Sequence, residues 1–148
     1  MIRKWQSENT DPLLSLWLAS TTEAHPFIDA NYWKENEAMV REVYLPSAET
    51  WVWEQDGKPC GFISVMQSQF VGALFVAPSY IGKGIGRALL NYVQQRFPHL
   101  SLEVYQKNVR AVNFYHAQGF RIEDSAWQDD TQHPTWIMSW QADQTPLR

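Results

Sequence analysis

Gly72-Ala73-Leu74-Phe75-Val76-Ala77-Pro78-Ser79-Tyr80-Ile81-Gly82-Lys83-Gly84-Ile85-Gly86-Arg87-Ala88-Leu89-Leu90 is the stretch whose reading decides the fold. An apolar run ends at Pro78, glycines follow at every second position from Gly82 to Gly86, and an amphipathic segment begins at once. That order predicts a buried strand, a tight loop and a helix. Such a loop suits phosphate: glycine lets successive backbone N–H groups converge on a ligand, and the first helical turn adds unpaired donors and a positive dipole end. Lys83 and Arg87 add charge beside it. Two other phosphate loops are excluded by single positions. A Walker loop needs Gly-Lys followed by Ser or Thr, but Lys58 precedes Pro59 and Lys83 precedes Gly84. The dinucleotide fingerprint would want glycine at Arg87, or glycine or alanine at Leu89.

Composition sets the outer bounds. A chain of 148 residues predicts one domain, 1–148, burying roughly 70% of its extended surface. Eight tryptophans, six tyrosines and seven phenylalanines are more rings than a small core holds, so some are expected to line a groove or contact surface. A formal charge of -4 argues against nucleic acid as a partner and suits a cationic one. One cysteine cannot form an internal disulfide, and the start Met1-Ile2-Arg3-Lys4-Trp5-Gln6 carries no apolar secretory segment, so the cytoplasm is the expected location. The run near Ala73 to Ala77 is far shorter than the roughly 20 residues that span a bilayer, which predicts no membrane partner. Cys60, His25, His99, His116 and His133 are scattered, so no metal site is expected.

A second block tests the loop reading: Leu102-Glu103-Val104-Tyr105-Gln106-Lys107-Asn108-Val109-Arg110-Ala111-Val112-Asn113-Phe114-Tyr115-His116-Ala117-Gln118-Gly119-Phe120. The first stretch resembles motif A of the GCN5-related N-acetyltransferases (GNAT), strand then Q/R-x-x-G-x-G/A and a helix, with Ile81 at the Gln/Arg position. The second resembles that family's next element, strand then N-x-x-A-x-x-F-Y-x-x-x-G-F, at every fixed position from Asn108 to Phe120. The resemblance spans nearly the whole chain and is closest to the small single-domain bacterial members. It implies an α/β (α+β) fold: a mixed, mostly antiparallel sheet of about seven strands with four helices, splayed between strands 4 and 5. It also implies acetyl-CoA as co-substrate, no metal, and a monomer or homodimer.

Taken in order, the chain predicts a strand over Ile2 to Trp5 and a helix from Thr10-Asp11-Pro12 that ends at Ser20-Thr21-Thr22. A second helix runs from about Asp29 to Tyr44, with Ile28, Tyr32, Met39, Val40 and Val43 at helical spacing and Pro46 closing it. Thr50 to Gln55 and Lys58 to Gln67 form a hairpin across Asp56-Gly57. The strand Phe70 to Val76 leads into the glycine loop and a helix to Phe97, followed by strand Ser101 to Tyr105, helix Asn108 to Gln118 capped by Gly119, and a final hairpin of Phe120 to Gln128 and Thr135 to Trp140. The tail 141–148 is expected to fray.

Acetyl transfer from a thioester to an amine needs a held donor, a polarised carbonyl, a neutral amine and a proton for the departing thiolate. The resemblance assigns donor binding to Gly82, Lys83, Gly84, Ile85, Gly86 and Arg87, with the backbone of Leu74, Phe75 and Val76 pairing with the pantetheine arm as an added strand. A backbone N–H near Phe75 or Val76 would polarise the carbonyl. Asn108 would bond the coenzyme arm, cap its own helix, or both. Tyr115 matches the family's general acid. Base candidates are Glu103, a carboxylate between Leu102 and Val104 that calls for a wet cleft or a partner, and His25 before Pro26. Trp51, Trp53, Trp127 and Trp136 are candidates for an acceptor-binding wall, and Cys60 reads as inert packing. The resulting expectation is an N-acetyltransferase acting on a primary amine, with a protein lysine or N-terminus among the candidate acceptors, by direct attack; the rival is a non-catalytic CoA-binding sensor or interaction module.

Overall fold

The computed structural model describes residues 1–6 and 10–142, so from 143 onward the expected frayed tail lies outside the described residues. Seven strands, β1 (Ile2–Lys4), β2 (Ala48–Gln55), β3 (Lys58–Met66), β4 (Phe70–Val76), β5 (His99–Tyr105), β6 (Arg121–Gln128) and β7 (His133–Gln141), form one sheet in the order β1-β2-β3-β4-β5-β7-β6. Every pairing is antiparallel except β4 with β5. Helix α1 (Thr10–Ala24) and a bent helical arm cover one face, and α5 (Ile85–Gln94) and α6 (Val109–Ala117) cover the other. The arm consists of α2 (Ala30–Glu35), α3 (Glu37–Met39), a wider π-type turn (Val40–Tyr44) and α4 (Leu45–Ser47).

Coverage on both faces explains why β2 and β3 are apolar on consecutive residues. Val52 and Phe62 pack with Leu13, Leu14 and Trp17 of α1, whereas their neighbours Trp51 and Ile63 pack with Leu89, Leu90 and Val93 of α5. The Asp56-Gly57 turn has positive φ at both residues, 53° and 76°, as a two-residue hairpin of right-twisted strands requires.

Three helices differ from the sequence reading, α5 least of them, since it ends at Gln94 rather than Phe97. α1 does not stop at Ser20-Thr21-Thr22 but runs to Ala24, because Ser20 and Thr21 are buried and their hydroxyls find partners: Ser20 Oγ donates to the Val76 carbonyl at 2.9 Å and Thr21 Oγ1 lies 3.2 Å from His25 Nδ1. The second helix is not continuous to Tyr44. Asn36 interrupts it, its side-chain Nδ2 donating to the Tyr32 carbonyl at 2.6 Å. Further on, Pro46 sits inside α4 rather than after it. Its ring would crowd the carbonyl four residues back, and the turn before it widens so that the Leu45 N–H bonds the Val40 carbonyl. Met39 and Val43, expected on a buried stripe, are 51% and 56% exposed.

The splay between β4 and β5 is present. They register at one pair, Phe70 with Ser101, where the Ser101 N–H donates to the Gln69 carbonyl at 2.8 Å, and then diverge. On the opposite edge of β4 the register slips between Ser64 and Val65, leaving Gly72 as an extra residue that bends the strand. Because α5 follows β4 and α6 follows β5, both helix N-termini stand at the open end of the gap.

The C-terminus of α6 is locked by a Schellman pattern: the Gly119 N–H donates to the His116 carbonyl and the Phe120 N–H to the Tyr115 carbonyl, both at 3.0 Å. Gly119 has φ 95°, and an added Cβ would lie 3.0 Å from Trp140 Cδ1. Gly119→Ala is therefore expected to lower stability by about 1–3 kcal/mol. Urea denaturation checks this, and an unchanged midpoint would show that the cap carries no strain.

Candidate active site

The gap between β4 and β5 opens into a cavity of about 950 Å³. One part of its wall is the glycine loop. Gly82 and Gly84 have φ of 87° and 84°, and a Cβ on either would meet nothing within 4 Å, so conformation rather than space demands glycine there. Gly84 is the N-cap of α5, and its carbonyl accepts from Ala88 at 3.0 Å. The N–H groups of Ile85, Gly86 and Arg87 in the first turn have no partner within the helix. Ile85 contributes backbone only, since its side chain is buried against α5's core neighbours.

The second wall is the free edge of β4. The Ala77 N–H donates to the Cys60 carbonyl across β3 at 2.8 Å. Alternation along the strand then turns the backbone groups of Phe75 toward β3 and those of Leu74 and Val76 into the gap. The Val76 carbonyl is met there by Ser20 Oγ. Of the two residues expected to offer a polarising N–H, Val76 has the orientation.

Four further residues face the same cavity from β5, α6 and the end of α1: Glu103, Asn108, Tyr115 and His25. Asn108 caps α6, its Oδ1 accepting from the Ala111 N–H at 3.3 Å. Tyr115 lies one turn from the end of α6, its ring 5.3 Å from Phe114 and 5.7 Å from Phe120. Burial pushes its phenol well above the usual tyrosine range. Glu103 Oε2 accepts from Thr135 Oγ1 at 2.6 Å and Gln128 Nε2 at 2.7 Å. Those donors are the partners that a carboxylate between two buried aliphatics needs. His25 Nδ1 is 2.7 Å from the Thr21 carbonyl, which makes Nδ1 the protonated nitrogen and leaves the lone pair on Nε2. Burial lowers the imidazole below its ordinary value, with the Thr21 bond a smaller opposing effect.

The cavity thus gathers every residue assigned from the sequence to donor binding or catalysis except Lys83, whose ammonium instead lies 5.4 Å from the Tyr80 ring. Arg87 and Arg110 supply cationic side chains to its wall, and Glu23, Glu103 and Asp130 supply carboxylates. The aromatic wall is not the expected one. Trp51, Trp53 and Trp136 pack in the α5 and α6 layer, and Trp127 is 53% exposed. The rings that line the cavity are Trp17, Tyr32, Trp33, Tyr44 and Tyr105 among others. His25 sits among them at 5.2 Å from both Trp33 and Tyr105. The apolar spacing of Tyr32, Met39 and Val40 had signalled a stripe; all three line this cavity, and of them Val40 also packs against the core beneath α1. Among the described residues no group of three or more His, Cys, Asp or Glu is arranged to hold a metal ion, and no helix is long and apolar enough to cross a membrane.

Comparison with known proteins is consistent with this geometry. The model of the acetyltransferase (GNAT) family matches residues 10–120. The chain is 59% identical over 145 residues to peptidyl-lysine N-acetyltransferase YiaC of Escherichia coli K12, covering 98% of this chain and 99% of that one. The solution structure of apo YjaB from Escherichia coli superposes with a TM-score of 0.81 at 31% identity, covering 95% of this chain and 96% of that one. The PaiA N-acetyltransferase of Thermoplasma acidophilum, solved in complex with coenzyme A, shares the fold with a TM-score of 0.79 at 21% identity over 95% of this chain and 98% of its own.

The lowered His25 value fixes a sign for stability against pH. The unfolded chain binds a proton on this imidazole near pH 6.5 while the folded chain resists until lower pH. The neutral ring's contribution is therefore complete above about pH 6.5 and is lost as pH falls through the window beneath it. Thermal melts of the native protein and His25→Gln between about pH 7.5 and 5.5 are expected to show the native Tm falling more steeply on acidification. Parallel curves would remove His25 as the source.

Proposed function

Because the chain belongs to the GNAT family of acetyltransferases and is an N-acetyltransferase that uses acetyl-CoA, we propose that its acceptor is a lysine side chain carried on a protein, and that residues 1–148 act as one domain in the cytoplasm. The observation that carries this reading is the make-up of one cavity: a phosphate-type loop and open strand edge on one side, carboxylates and aromatic rings on the other. Carboxylates attract an ammonium, and rings accept the aliphatic stem that leads to it. The peptidyl-lysine activity in the name of the relative at 59% identity supports the same acceptor class.

Acetyl-CoA supplies an acetyl carbon made electrophilic by its thioester. The amides of Gly82, Gly84, Ile85, Gly86 and Arg87 cradle its diphosphate, and the Arg87 and Lys83 side chains add positive charge. Leu74 and Val76 offer backbone groups to the pantetheine arm, Phe75 extends the same edge, and the Val76 N–H faces the thioester oxygen. Asn108 holds the arm with its amide nitrogen while its oxygen keeps the helix capped. Glu103 takes a proton from the acceptor ammonium, freeing the nitrogen lone pair to form the C–N bond by direct attack. Tyr115 gives its hydroxyl proton to the sulfur as the C–S bond breaks. With its phenol raised by burial, Tyr115 is protonated throughout the neutral range, and its transfer depends on close placement beside the sulfur. His25 is the second base candidate, favoured by the free lone pair on Nε2. Glu103 is preferred because the His25 ring is only 8% exposed and enclosed by Trp33, Phe27 and Tyr105.

Mass-spectrometric mapping of a cell extract incubated with acetyl-CoA and the protein tests the acceptor. New acetyl groups on lysine side chains are expected, absent with Tyr115→Phe; acetylation confined to protein N-termini or small amines would overturn the reading. Tyr115→Phe is expected to lower kcat about 100-fold with little change in acetyl-CoA affinity. Gly84→Asp is expected to do the reverse, weakening acetyl-CoA binding roughly tenfold or more by setting negative charge against the diphosphate. Calorimetric titration with acetyl-CoA and steady-state kinetics separate the two, and undiminished donor affinity in Gly84→Asp would move the diphosphate off this loop.

A further inference from the structure

We infer that Thr135 and Gln128, on the β6–β7 hairpin, are positioning residues that hold the Glu103 carboxylate with Oε1 as the single atom left to take the acceptor's proton; the inference rests on the assignment of Glu103 as the base. Both donors end on the same oxygen, Thr135 Oγ1 at 2.6 Å and Gln128 Nε2 at 2.7 Å from Oε2. No hydrogen bond or ion pair reaches Oε1 from the described residues, and Glu103 lines the cavity. Two fixed donors on one oxygen set the plane of a carboxylate that a glutamate side chain would otherwise let rotate. The other oxygen is then aimed rather than free.

The sheet explains how three residues far apart in sequence meet. Thr135 registers with Tyr105 on β5 and with Ala126 on β6. Alternation puts Glu103, Tyr105, Thr135, Ala126 and Gln128 on one face, the face that looks into the cavity beside α1 and the arm. Thr135 is buried, and its carbonyl accepts from Gln106 Nε2 at 3.1 Å, so the residue is held from its backbone side as well. A buried threonine hydroxyl has one proton to donate, and here it goes to Oε2. In the transfer step an ammonium N–H bond breaks, the proton joins Oε1, and the electron pair stays on the nitrogen that attacks.

A double-mutant cycle tests this, with thiol release from acetyl-CoA measured against a synthetic peptide carrying one internal lysine. Thr135→Val removes the hydroxyl at nearly constant volume and is expected to lower kcat about tenfold while acetyl-CoA KM stays near the native value. Thr135→Ser restores the donor and is expected to recover most of that loss. In a Glu103→Gln background Thr135→Val is expected to cost nothing further, because its route to the reaction is already gone. Losses that multiply, a Thr135→Val enzyme with native kcat, or a Thr135→Ser enzyme as poor as Thr135→Val would each overturn the positioning role while an impaired Glu103→Gln left the base assignment standing. A Glu103→Gln enzyme with native kcat would bring down the base assignment, and this inference with it.

Discussion

The constraint on which the structure depends is that β4 and β5 pair at one register and then part. A strand edge inside a domain presents N–H and C=O groups that have to be satisfied. β4 meets the requirement in three ways. Its β3 side is paired from Phe70 to Val76 apart from the bulge at Gly72, its Val76 carbonyl accepts from Ser20 of α1, and the rest of its free edge faces the cavity. The same divergence places the N-terminus of α5 and the Asn108-capped N-terminus of α6 at one opening, so the positive ends of two helices face one space. A family that binds an extended, anionic co-substrate gains both an edge to extend and a terminus to hold charge.

On the α6 side of that opening the chain is fixed by caps more than by bulk packing, whereas α5 is held by its buried Ile85, Leu89, Leu90 and Val93. Asn108 starts α6 through its own side chain, and Gly119 ends it with a left-handed residue whose neighbour Phe120 is buried against Tyr115. Tyr115 is thereby set by both ends of a nine-residue helix with no fully buried residue of its own. Glu103 is set in a different way, by donors from a hairpin that follows α6 in the chain but adjoins β5 in the sheet.

The arm after α1 shows how one apolar pattern can serve two purposes. Tyr32, Met39 and Val40 repeat at the spacing of a core-facing helix, yet they line the cavity. Asn36 and Pro46 prevent an unbroken helix, and the π-type turn between them keeps the arm following the cavity rim. Rings from the loop after α1 lock this region to the far side: Phe27 contacts Tyr105 and His133, and His133 Nε2 lies 3.2 Å from the Phe27 carbonyl.

The sequence by itself determined what local chemistry determines. Gly82, Gly84 and Gly86 announced a tight loop, Gly119 a left-handed cap, Asp56-Gly57 a hairpin, and the spacing from Asn108 to Phe120 a capped helix; each depends on residues a few positions apart. Together with the resemblance carried by the two blocks, they were enough to place the order of elements along the chain and the family. The tertiary structure alone decided where polar and aromatic side chains go when their partners are distant in sequence. Ser20 and Thr21 read as a helix end because hydroxyls compete for backbone in water, and they stay helical because the fold brings the Val76 carbonyl to the Ser20 hydroxyl and buries Thr21 beside His25. Trp33 and Tyr105 replace the expected tryptophans in the cavity, and Thr135 and Gln128 reach Glu103 across 32 and 25 residues, because cross-strand register, which no local pattern encodes, selects which side chains share a face.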